Sequence, residues 1–173
     1  TNDEINNKLI LSESLFGING EKCDLKKLSE LSNHYNALLY IDDSNSIGVY
    51  GKHGMGLASW KKDIDIVVGG FGKASGSFGA YIGCNALMRE YLLTYNSQLL
   101  ETTMVPPAIL GAISGSLDLI PDMHAEREKI FHLSSYLREH LEENQWNLGN
   151  SLSHIIPLIS NSEDQCQKLS SAL

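Results

Sequence analysis

An α/β fold built on a mostly parallel sheet is what the order of apolar runs predicts. Short β-branched or aliphatic runs alternate with longer stretches of helical periodicity. Ligands in such folds gather beyond the carboxyl ends of the strands, so the residues just after each run are the first to weigh as functional. Two of these exits stand out. One ends in Asp42, and the other opens into Gly69–Gly83, a glycine-rich stretch with Lys73 as its single lysine.

The elements follow in order. Lys8-Leu9-Ile10-Leu11-Ser12-Glu13 reads as a strand, and Leu15 to Gly20 as the turn leaving it. Asp24 is placed to cap a helix running through Asn36, with Leu25, Leu28, Leu31 and Tyr35 on one face. Ala37 to Asp42 is a second strand, short and apolar enough to be fully buried. Ile64 to Val68 is a third, and Gly79 to Gly83 returns as another.

Asn85 to Tyr95 then reads as a helix, followed by a loop. Pro106-Pro107 opens a helix towards Leu119, and Pro121 ends it. Met123 to about Asn144 carries Ile130, Leu133, Leu137 and Leu141 at helical spacing, which a core-facing stripe explains. Ser153 to Ile159 reads as a strand near a sheet edge, because Pro157 cannot donate to a ladder. Glu163 to Leu173 starts a final helix.

Composition narrows the function classes. The net charge is −8 and there is no basic tract, which argues against nucleic acid and anionic membranes as partners. No apolar run approaches the length of a membrane span, and the polar start Thr1-Asn2-Asp3-Glu4 is no signal peptide. Cys23, Cys84 and Cys166 are scattered without a C-x-x-C, as expected of reduced thiols in a cytoplasmic protein. The six His have no metal-ligand spacing, so no metal site is expected.

Glycine fills five of the eleven positions from Gly69 to Gly79. That density lets backbone approach a ligand closely. A lone ammonium there is either a phosphate contact or a nucleophilic amine. Two phosphate-loop motifs fail: a Walker loop would need Gly and a hydroxyl where Val67 and Ala74 stand, and G-x-G-x-x-G from Gly70 would need Gly at Ser75. A glycine-rich hairpin with a solvated lysine is the plain alternative. Asp42 has one too, a turn or helix cap.

The two exits taken together resemble the α-oxoamine synthases, pyridoxal phosphate (PLP) enzymes that condense amino acids with acyl-CoA. Asp42 through Gly56 is similar to D-E-A-H-x-x-G-x-x-G-x-x-G-x-G, with Asn45 in the His place. Phe71-Gly72-Lys73-Ala74-Ser75-Gly76 is similar to T-F-[GS]-K-[AG]-x-G, with Gly70 in the Thr place. Thr102-Thr103-Met104-Val105-Pro106-Pro107-Ala108 is similar to S-T-x-x-P-P-A. The similarity runs from about Glu13 to the C-terminus in consistent order.

The resemblance implies a three-layer, mostly parallel sheet of the aspartate aminotransferase-like large domain over residues 1–121. Residues 122–173 would be a linking helix and the beginning of a small α+β domain. It assigns Lys73 a Schiff base with pyridoxal 5'-phosphate and Asp42 the cofactor's pyridine nitrogen. Asn45 would donate to the phenolic oxygen, and Thr103 would reach the phosphate, with a helix N-cap before Pro106 as the equal alternative for Thr103. Gly17 and Gly70 stand where the family carries hydroxyls.

Family members are longer, so this chain is expected to lack the glycine turn that holds the phosphate and the Arg that holds the substrate carboxylate. Their sites lie at homodimer interfaces. The wording around Lys73, with Leu92-Leu93, leans towards the biotin-pathway branch over the 2-amino-3-ketobutyrate branch. A non-catalytic piece of a larger assembly is the competing reading.

Overall fold

The computed structural model describes residues 7–59, 61–102 and 104–172. Four strands, β1 (Leu9–Glu13), β2 (Leu38–Asp42), β3 (Ile66–Gly70) and β4 (Ala80–Cys84), form one sheet in the order β1-β2-β3-β4. The first three are parallel, with Glu13 opposite Asp42 and Asp42 opposite Val68. β4 returns antiparallel to β3, with Gly70 opposite Ala80. The helices are α1 (Leu25–Tyr35), α2 (Ala86–Tyr95), α3 (Ser97–Glu101), α4 (Pro107–Leu119), α5 (His124–Glu143) and α6 (Glu163–Ala172).

α1 starts and stops for local reasons. The Asp24 side chain accepts from the Lys27 amide at 3.1 Å, and Asn36 ends the helix in the left-handed conformation that Asn tolerates. Its inward residues are Leu25, Leu28 and Ser32, whereas Leu31 and Tyr35 remain exposed. At 100° per residue Ser32 points closer to Leu25 than Leu31 does, so the expected four-residue stripe is rotated by one position. Leu25 packs on Leu39, Ile41, Ala58 and Ile64, with Ile10 and Val67 at the margin.

That core covers one face of the sheet. Leu9, Leu11, Leu38 and Ile82, on the other face, are 44–68% exposed, so β2 is buried on one side only. The Lys73 strand also sits two residues later than Ile64–Val68 and takes Gly69 and Gly70 into the ladder.

Contacts group the chain into two compact units: the described residues up to Leu15 with Cys23–His124, and Phe16–Lys22 with Ala125 onward. In the second unit, 153–159 is not a strand. The hydroxyls of Ser151 and Ser153 donate to the Ile155 carbonyl, and the Ile155 amide donates to Ser153 Oγ, so side chains take the bonds a ladder would need. The covered line of α5 is Arg127, Ile130, Ser134, Arg138 and Leu141; Leu133 and Leu137 lie on its exposed flank. Arg138 reaches the Ser153 carbonyl at 2.6 Å, which holds that line inward. Pro107 opens α4 at its first position, as expected, and the segment expected as a loop before it contains the short α3.

Candidate active site

β1, β2 and β3 all deliver their carboxyl ends to one edge of the sheet, and side chains alternate along each strand. Glu13 and Asp42 are register partners on neighbouring parallel strands, so both project from the uncovered face. Asp42 does make a turn cap: its Oδ1 accepts from the Ser44 amide at 2.9 Å. Its other oxygen takes no hydrogen bond among the described residues. Both alternatives for Asp42 are therefore compatible with one carboxylate.

Lys73 lies in the loop between β3 and β4. Phe71 donates to Gly79 O and Ser77 to Phe71 O, each at 2.9 Å, which closes the loop as a hairpin end. The Lys73 ammonium is exposed but not idle, because Nζ donates to Oδ1 of Asn45. Asn45 in turn spends its amide group on two acceptors, Glu13 Oε2 at 2.9 Å and the Leu15 carbonyl at 3.0 Å. In this arrangement Asn45 presents its oxygen to Lys73 and its amide N–H groups to Glu13 and Leu15.

The neighbouring Asp43 points the other way and is fully buried. Its Oδ1 accepts from Ser14 and Ser46, and its Oδ2 from the Ala58 amide at 3.2 Å. Burial pushes its carboxyl above the usual range, while those donors pull against the shift. Ser46 also accepts from the Leu57 amide at 3.0 Å. Asp43 thus ties the loop after β2 back to the chain at 57–58. This group fixes the backbone that carries Asn45.

Hydroxyls around the edge redistribute in an unexpected way. A Cβ on Gly70 would lie 3.2 Å from Ser44 Oγ, so Ser44 occupies the space next to the missing Thr side chain. Its hydroxyl has no hydrogen bond among the described residues. Within the lysine loop, Ser75 and Ser77 hold buried hydroxyls that also lack a partner there. The departure of Ser44 from Ala in the motif is the signal in the sequence that could reveal this. Thr103 lies outside the described residues, and the N-cap position of α4 is Pro106. Gly17 belongs to the second unit.

The whole chain, residues 1–173, matches the aminotransferase class I and II family profile. It is 39% identical over 163 residues to a Desulfosudis oleivorans protein provisionally named 8-amino-7-oxononanoate synthase, covering 94% of this chain and 42% of that one. A Paramagnetospirillum magneticum protein given the same provisional name is 36% identical, with 96% and 42% covered. Among solved structures, 8-amino-7-oxononanoate synthase from Francisella tularensis superposes with a TM-score of 0.85 at 25% identity, covering 96% and 50%. Serine palmitoyltransferase K265A from S. paucimobilis, with a bound PLP–myriocin aldimine, gives 0.85 at 21% identity, covering 92% and 42%, a likeness of fold. The chain spans less than half the length of the curated relatives it matches.

Proposed function

Because this chain belongs to the aminotransferase class I and II family, we propose that it is the lysine-bearing part of a PLP-dependent α-oxoamine synthase of the 8-amino-7-oxononanoate synthase type. The longer protein would condense an amino acid with an acyl-CoA as a cytoplasmic homodimer. Residues 1–121 would belong to its large domain and 122–173 to the linking helix and small domain. The observation that carries this reading is the meeting of Lys73, Asn45 and Asp42 at one strand edge.

The residues present fit pyridoxal phosphate. Its aldehyde needs an amine, its ring nitrogen a carboxylate, and its phosphate hydroxyl donors. The edge holds an exposed Lys73 Nζ and an Asp42 oxygen that takes no hydrogen bond among the described residues, and the hydroxyls of Ser44, Ser75 and Ser77, which also have no partner among the described residues, belong to the same two loops. When bound, the cofactor supplies an electron sink for a carbanion at the amino acid's α-carbon.

Lys73 Nζ would hold the cofactor's aldehyde carbon and, once released, is the amine at hand to take a proton. The unengaged oxygen of Asp42 would face the ring nitrogen and keep its proton in place. Ser44 Oγ would stand in for the hydroxyl absent at Gly70. The 2-amino-3-ketobutyrate type is the alternative for substrate.

A non-catalytic reading has one specific observation in its favour: both side-chain N–H groups of Asn45 are engaged by Glu13 and Leu15. The full-length protein decides between them. Borohydride reduction after PLP loading should place the pyridoxyl group on Lys73, and pimeloyl-CoA with alanine should release CoA. Label on another lysine overturns the site, and label on Lys73 without release of CoA from any acyl-CoA favours the non-catalytic reading.

A further inference from the structure

We propose that Glu13 is a positioning residue for the Lys73 amine, acting through the amide of Asn45. The inference rests on the reading of Lys73 as the reactive amine.

An Asn side chain can turn its oxygen or its nitrogen to a neighbour, and only its partners decide which. Here both acceptors lie on one side. Glu13 Oε2 and the Leu15 carbonyl each accept from Nδ2, at 2.9 and 3.0 Å. Neither a carboxylate nor a carbonyl can donate. Turned over, the amide would lose both bonds and set its oxygen against two others. Oδ1 is therefore committed to Lys73, whose Nζ donates to it.

Of the two acceptors, the Leu15 carbonyl is backbone and beyond the reach of side-chain choice. Glu13 is the chosen one, and the charge-assisted one. Its own place is fixed by the fold: it is the last residue of β1, in register with Asp42 on the same face. One carboxylate of that pair keeps an oxygen with no hydrogen bond among the described residues, and the other orients the amide that receives the lysine. A strand-terminal acid is the same signal that singled out Asp42, which makes Glu13 legible in the sequence.

The test is competitive labelling of amines in the full-length protein freed of cofactor, with Lys61 as an exposed internal reference and peptide mapping as readout. A role in general folding would move both lysines, and positioning moves Lys73 alone. Glu13→Met, which keeps length but has only a weakly accepting sulfur in place of the carboxylate, should raise Lys73 labelling relative to Lys61 by about five-fold, the worth of one ordinary hydrogen bond. Asn45→Ala should do the same, and the double variant should add nothing further, because both break one chain of contacts. Glu13→Gln, whose amide oxygen still accepts, should stay near the parent. If Glu13→Met does not fold, Glu13→Ala replaces it.

An unchanged Lys73 in the Glu13→Met and Asn45→Ala variants overturns the proposal, as does a double variant equal to the product of the singles. Borohydride trapping of PLP on the same protein is read separately. Its failure alongside coupled labelling would remove the functional reading and leave the Glu13 link standing.

Discussion

Oδ2 of Asp43 lies where any side chain on Gly56 would begin: a Cβ there would come inside 3.0 Å of that oxygen. The backbone of Gly56 also has φ +96, a conformation side chains rarely adopt. The bare α-carbon and the buried carboxylate are therefore one packing unit, and the loop after β2 closes around it. Gly56→Ala should lower stability by about 1–3 kcal/mol from backbone strain alone. Denaturant unfolding of the full-length protein measures it, and a midpoint equal to the parent's would contradict the geometry.

The same carboxylate predicts a pH dependence. Its pKa in the fold is raised by burial above the usual 3.8. Between the two values the folded state binds more protons than the unfolded one, so this group's contribution to stability falls as pH rises through that window. Asp43→Asn cannot titrate. The difference in unfolding free energy between parent and variant should therefore change across the mildly acidic range and flatten above it. Parallel stability curves would show that the carboxyl is not shifted upward.

Asp42→Asn in the full-length protein should retain PLP and lose turnover. A hydrogen bond to a charged group is worth about 1.5–3 kcal/mol, which corresponds to roughly a ten- to hundred-fold loss in rate. Steady-state CoA release is the measurement. Wild-type turnover would leave the bond to the Ser44 amide as the whole role of this carboxylate.

Ser44→Ala should weaken PLP binding by roughly ten-fold, since a hydroxyl bonded to a charged phosphate is worth at least about 1.5 kcal/mol. Gly70→Thr should restore affinity in that background, where the obstructing Ser44 hydroxyl at 3.2 Å is gone. Equilibrium titration of the cofactor-free protein reads both. Equal affinity in parent and Ser44→Ala removes Ser44 from the site.

Much of this was legible from residues, and the reasons differ by region. The Asp24 cap, the Asn36 stop and Pro107 are local chemistry, so they appear where the chain says they should. Strand exits obey a topological rule, which located Asp42 and Lys73. What stayed hidden depends on side-chain partners that apolar patterning does not register, some of them distant in sequence. The Asn45 amide is turned by Glu13, 32 residues earlier. Ser14 reaches Asp43 only once β1 and β2 lie side by side, to join Ser46 from the same loop. Ser153 competes with its own backbone for Ile155, a choice that apolar patterning does not register.

The hairpin that carries Lys73 also sets an order of assembly. Ile66 meets Cys84 across a turn, 18 residues along the chain, whereas Glu13 meets Asp42 after 29, with α1 in between. Contacts close in sequence form early, and parallel pairing of β1 with β2 needs a longer excursion first. The lysine arm is thus a local structure that can precede its site, and the acid and amide reach it only when the parallel strands zip. Slowed folding is the expected mark of a weakened β3–β4 turn, and faster unfolding that of a weakened β1 pairing. Stopped-flow measurements on the two classes of variant separate them.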